Sequence, residues 1–185
     1  MKTKGIITLG IGVAFSSLIN AQEKYYTKTG KISFFSSTSV ENINAINKNV
    51  VCLLDSKTGD LQFAVLQKGF EFKKALMQEH FNSDFVESDK YPKAEFKGTI
   101  INNNVINYSA NGTYSVNVKG KLSIHGVTKD IETTGIISVK DGKLYSNSVF
   151  NVMISDYNIS VPRMYTDNIS KNIKITVECV LEIFK

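Results

Sequence analysis

The chain has no tryptophan and only two histidines, two cysteines and two prolines in 185 residues. So few cysteines and histidines exclude a disulfide-dense scaffold and a four-ligand Cys/His zinc centre. Two prolines and 21% charged residues argue against a disordered chain, and 42% apolar residues can fill one domain core. Acidic and basic residues are interspersed. The formal charge of +5 is too mild for the basic stripe that nucleic-acid binding needs.

Residues 1–21 read as a secretory signal peptide. Lys2 and Lys4 lead an apolar run from Ile6 to Phe15, and Ser16, Ser17 and Ala21 supply a small-residue exit. The run is shorter than the roughly 20 residues of a membrane span. No later segment is apolar enough to be one. Cleavage after Ala21 would leave residues 22–185 as one domain and take the formal charge from +5 to +3.

Period-two alternation dominates that domain. From Ile173 to Ile183, odd positions are apolar and even positions mostly polar, so one face is buried and the other wet. Tyr114, Val116, Val118, Gly120, Leu122 and Ile124 share one face of another long strand. Further strand-like runs are Ile32–Ser36, Val50–Leu54, Leu61–Leu66, Ala94–Ile101, Val105–Ser109, Thr128–Val139 and Leu144–Ile154. Lys57-Thr58-Gly59-Asp60, Asn102-Asn103-Asn104 and Asp141-Gly142 mark turns between them. The stretch from about Phe72 to Phe81 has good helix formers, with apolar residues near helical spacing. The expected fold is all-β. It is an elongated, eight-stranded antiparallel barrel of the lipocalin-like kind with one short helix near residues 72–81, and its lumen can hold one small ligand.

Several strings carry a resemblance. They are Phe70-Glu71-Phe72, Leu76-Met77-Gln78-Glu79-His80-Phe81, the run from Glu87 through Tyr91-Pro92 to Phe96-Lys97-Gly98, the run from Gly120 through Ile124-His125-Gly126-Val127-Thr128 to Lys129, and Asp156-Tyr157. In this order and spacing the chain resembles the YceI-like lipid- and polyisoprenoid-binding family. The resemblance implies an exported, periplasmic or secreted protein that keeps a long isoprenoid or fatty-acid-like chain in its lumen. Many members have Gly after the Asp-Tyr pair, where this chain has Asn158. Asn also tolerates the left-handed conformation.

The inward faces nominate Phe63, Val65, Phe96, Tyr114, Val116, Val118, Leu122, Phe150, Val152, Ile173, Ile175 and Val177 as lumen contacts. Leu76 and Met77 would cap the lumen. Arg163, on the long connection from Ser155 to Ser170, is the candidate for an anionic head group. The alternative is a barrel packed solid that serves as a protein-interaction module, and a lipid-modifying enzyme is the third reading. No Gly-x-Ser-x-Gly elbow or His-x-x-x-His pair occurs. Neither catalysis nor a metal or other cofactor is therefore expected. His125, beside a Gly turn, reads as a residue holding backbone. Cys52 and Cys179 fall on strands with one strand between them, roughly 9–10 Å apart at twice the strand spacing, too far to bond. They read as two buried thiols. Oligomeric state stays open, with a homodimer among the options.

Overall fold

A computed structural model describes residues 24–184. The expected signal peptide lies outside the described residues. The elements are β1 (Lys24–Ser37), β2 (Asn42–Asp55), β3 (Asp60–Leu66), β4 (Glu71–Phe72), α1 (Ala75–His80), β5 (Lys93–Ile100), β6 (Gly112–Ile124), β7 (Val127–Lys140), β8 (Lys143–Met153) and β9 (Asn172–Ile183). Eight of the strands pair antiparallel in the order β1-β9-β8-β7-β6-β5-β3-β2, and β1 pairs with β2 to close the ring. Closure removes the unpaired edges that an open sheet would expose. The two-residue β4 is an extra rung on β2.

Alternation sets the two faces. On β9, Val177, Cys179 and Leu181 are buried while Glu178, Val180 and Glu182 are exposed. The tight hairpins use the left-handed region. His125-Gly126 joins β6 to β7 with φ of 51° and 73°, and Asp141-Gly142 joins β7 to β8 with 51° and 76°. Two positive φ values in a two-residue loop match the strand twist. Asn158, at φ 55°, takes the same region after the Asp-Tyr pair.

The structure corrects several of the expected elements. β1 and β2 begin eight residues earlier than the strands expected at Ile32 and Val50. The added halves are rich in Lys and Asn, which are depleted in strands, and ladder pairing around Tyr25, Thr27, Ala45 and Asn47 carries them. Asn47 is fully buried, with its amide donating to the Leu66 carbonyl at 2.9 Å and its Oδ1 accepting from Asn49 N–H at 2.9 Å. Val105–Ser109 is not a strand. A 3₁₀ turn over Asn103–Val105 sends it across the barrel end, where Ile106 is buried and Tyr108 stacks on Tyr25 at 5.8 Å. The helix is shorter than 72–81 at its start, because Phe72 pairs with Ala45 in β4. It then runs on into a π turn over Phe81–Phe85, closed by Val86 N–H to the Phe81 carbonyl at 3.0 Å.

The two ends differ. The 55–60 turn, the 101–111 loop and the 141–142 turn gather at one end. There Tyr25, Leu54, Ile100, Leu144 and Leu181 form a sealed floor. At the other end lie the 38–41 turn, the segment carrying α1, the His125 turn and the long β8–β9 connection. Ladder pairing of β7 with β8 stops at Gly135↔Ser148, although β8 stays paired to β9 as far as Met153. The two strands part toward this second end, and a 3₁₀ turn over Ile154–Tyr157 lies against β7 in the gap.

Candidate functional site: an apolar cavity under a helical lid

A cavity of about 590 Å³ runs down the barrel from the helix-bearing end, within the roughly 300–1,000 Å³ of small-molecule sites. Phe63 and Val65 of β3, Phe96 of β5, Val116, Val118 and Leu122 of β6, Phe150 and Val152 of β8, and Ile173, Ile175 and Val177 of β9 all line it. Alternate positions on each strand face inward, so one apolar face per strand makes a continuous wall. Tyr114 does not belong to that wall. It sits one step nearer the closed end than Val116, paired with Ile137, and its hydroxyl curls over Gly112.

The mouth is built from aromatic side chains that sequence patterning missed. Phe34 of β1 touches Phe70, Phe72 and Phe81 with ring centroids 5.2, 5.6 and 5.4 Å away. Phe72 and Phe81 meet at 5.1 Å. Such pairs add roughly 0.5–1.5 kcal/mol beyond area burial, and this cluster seats α1 on the barrel. The available signal was Phe70-x-Phe72 followed by Phe81 and Phe85, four phenylalanines around one short helix. Leu76 and Met77 line the rim, with Leu76 61% exposed. No residue of α1 or its π turn is buried, so the lid is lightly held.

Arg163 is exposed on the β8–β9 connection at the mouth and does not line the cavity. In the 3₁₀ turn over Arg163–Tyr165 the charged side chain turns to water, while Met164 and Tyr165 line the mouth. Glu41 and Lys74 are charged groups at the rim. Lys74 Nζ donates to Glu41 at 3.0 Å, and Asn168 Nδ2 donates to the same carboxylate at 3.1 Å. These bonds, Lys74 first, hold the Glu41 carboxyl below its ordinary pKa. One carboxylate thus ties the β1–β2 turn, the start of the lid and the β8–β9 connection. Ser170 N–H, donating to Ser36 Oγ at 2.9 Å, ties that connection to β1 again.

His125 links the same end from outside the cavity. Its Nδ1 is 3.1 Å from the Tyr157 carbonyl and its Nε2 is 2.6 Å from Glu87. Its ring packs edge-on to Tyr91 at 4.6 Å. Ser123, two residues away, bonds Thr128 at 2.7 Å and not the imidazole. Cys52 and Cys179 are both buried and free. Gly30 of β1 borders Cys179, where a Cβ would sit 2.6 Å from Cys179 Sγ. The pairing of β1 with β2 shifts on either side of Gly30.

The arrangement can desolvate a long apolar molecule and keep its polar end at the rim. Each buried methylene would contribute about 0.8 kcal/mol.

Comparisons agree with this geometry. A family model described as a YceI-like domain matches residues 19–181. A polyisoprenoid-binding domain from Saccharophagus degradans, implicated in plant cell wall breakdown, is structurally similar at TM-score 0.76 and 13% identity, covering 88% of this chain and 99% of that one. BcnA of Burkholderia cenocepacia is similar at TM-score 0.67 and 17% identity, covering 82% and 95%. A YceI protein of Campylobacter jejuni aligns at TM-score 0.55 and 18% identity, covering 100% and 99%. No curated protein matches the chain by sequence. At these identities the structural likeness speaks for the fold.

Proposed function

The chain belongs to the YceI-like domain family, and on that premise we propose that it binds a long apolar lipid in the barrel lumen and sequesters or carries it through water. The cargo class is an isoprenoid, a quinone or a fatty acyl chain. The observation that carries this reading is the continuous apolar cavity of about 590 Å³, closed at one end and lidded at the other. A solid interaction module would have no use for it. Lumen contacts are Phe63, Val65, Phe96, Val116, Val118, Leu122, Phe150, Val152, Ile173, Ile175 and Val177. Leu76 and Met77 form the cap. Residues 1–21 act as an export signal, and the mature protein works in the periplasm or outside the cell. The work is done by desolvation and needs no covalent step.

Native mass spectrometry of the protein from its producing cells, followed by solvent extraction, tests this directly. A discrete added mass that leaves with the organic phase is the expected result. A bare protein that also refuses added polyprenol and fatty acid would overturn the proposal.

A further inference from the structure

His125 stands between two acceptors. The Tyr157 carbonyl is 3.1 Å from its Nδ1, and a Glu87 carboxylate oxygen is 2.6 Å from its Nε2. Neither a carbonyl nor a carboxylate brings a proton, and a neutral imidazole donates only once. Both bonds form together only when the pair holds one proton beyond neutral imidazole and ionised carboxylate, whichever atom carries it. The ring is well placed to keep that proton from solvent, since the His125 side chain is only 11% exposed.

Three elements meet at this ring. His125 lies in the β6–β7 turn at φ 51°, and Glu87 is also left-handed, at φ 44°, a region where a non-glycine residue is uncommon. Glu87 directly follows the π turn that ends the lid. Val86 N–H closes that turn on Phe81, and Ser88 N–H donates to the Asn82 carbonyl at 2.8 Å. Tyr157 ends the 3₁₀ turn that lies where β7 and β8 part. The ring therefore ties the exit of the lid to the turn that fills the gap.

Loss of the proton costs one of the two bonds. Tyr157 is 3% exposed, whereas the Glu87 side chain is 43% exposed. A buried acceptor left without a donor is costlier than one that water can reach. The remaining N–H stays on Tyr157, and Glu87 is released. Also facing the pair are Lys90, with Nζ 3.9 Å from the other Glu87 oxygen, the phenols of Tyr91 and Tyr157, and Asp156 beside Tyr157. Lysines, phenols and carboxylates ordinarily keep their charge states between about pH 5 and 8, where a free imidazole changes its own.

We propose that His125 and Glu87 form a one-proton latch on the exit of the lid, closed while the proton is held and opened as the pH rises through the imidazole range. Opening releases one proton, so it becomes easier with rising pH. The Glu41 clasp at the start of the lid responds in the opposite direction. With its pKa lowered from 4.5, Glu41 stays ionised across the range in which the latch opens. The latch follows from the geometry of the lid and does not depend on any cargo.

Hydrogen exchange of the full chain between about pH 5.5 and 8, corrected for the intrinsic rate, tests it. Opening over residues 81–91 should become at least fivefold more frequent at the upper pH, while β6 and β9 stay unchanged. Nitrogen NMR should find both His125 ring nitrogens protonated at the lower pH. In Glu87→Gln the amide can donate to Nε2 of a neutral ring, so the lid should stay closed and its pH profile should be flat. A pH-independent lid in the unaltered chain, an unchanged pH dependence in Glu87→Gln, or a ring protonated on one nitrogen at the lower pH would each overturn the proposal. Glutamine keeps the shape of glutamate, and the profile and nitrogen spectrum of the unaltered chain test the latch without any variant.

Discussion

At one end of the barrel Tyr25, Leu54, Ile100, Leu144 and Leu181 are at most 2% exposed; at the other, no residue of the helix Ala75–His80 is buried. Both ends close the same eight strands. At the floor, large side chains interdigitate and the loop from 101 to 111 brings Ile106 and Tyr108 down as a plug. At the mouth, a phenylalanine cluster and one shared carboxylate hold a lid whose outer residues face water. Stability concentrates where packing is dense, and exchange with solvent is left to the lightly held end. A carrier of an apolar cargo needs both, because a lumen open at two ends would not retain it and one sealed at two ends would not load.

Truncations to alanine at the two ends should therefore have unequal costs. Tyr25→Ala, at the floor, is expected to lose about 3–5 kcal/mol of unfolding free energy. Leu76→Ala, on the lid, is expected to stay within about 0.5 kcal/mol. Denaturant melts of the two variants measure the contrast, and equal losses would erase it.

Phe81→Ala sits between these extremes. The ring is half-buried against Phe34, Phe70 and Phe72, so a loss of about 2 kcal/mol is expected, roughly half that of a fully buried phenylalanine. Hydrogen exchange should quicken over residues 75–85 and stay slow in β6. A uniform rise across the barrel would mean that the lid is part of the main core.

The ends also differ in pH response. At the floor, Tyr108 donates to Asn103 Oδ1 at 2.7 Å. Burial first, then Asp55, pushes its pKa from 10.0 up to about 12. A raised pKa means the folded state holds the proton more tightly. Its contribution is complete below pH 10 and fades as the pH rises toward about 12. Ultraviolet titration should find one tyrosine ionising near 12, and Tyr108→Phe should remove that step. At the mouth the sign reverses. Glu41 has a lowered pKa, so its contribution is complete above its ordinary value of 4.5 and is lost as pH falls through the lowered one. This exposed clasp should give the smallest effect. Acid should quicken exchange at the lid alone, and Glu41→Gln should flatten that dependence.

The sequence was most legible where the wall alternates. β6 and β9 could be read residue by residue, and the inward set from Val116 to Leu122 and from Ile173 to Val177 lines the cavity. Tyr114 obeyed the same alternation, but period alone does not say how far down the barrel the void extends. The early halves of β1 and β2 were hidden because Lys and Asn carry little strand preference, and partner strands decide their conformation. Val105–Ser109 has strand-like residues that tertiary packing uses as a plug. Arg163 was chosen by charge, and it stands exposed in the same turn as Met164 and Tyr165, which line the mouth. The break in the register of β1 at Gly30 is one that no local periodicity announces.

The central claim is that the lumen itself holds the lipid. Native mass spectrometry with added long-chain polyprenol should be run on the unaltered protein and on a Val118→Phe, Val177→Phe double variant. Both side chains line the cavity, and the larger rings would occupy it. The account expects one lipid per chain on the unaltered protein and at least tenfold weaker loading on a double variant that melts normally. Equal loading of both proteins would place the lipid outside the barrel and contradict the account.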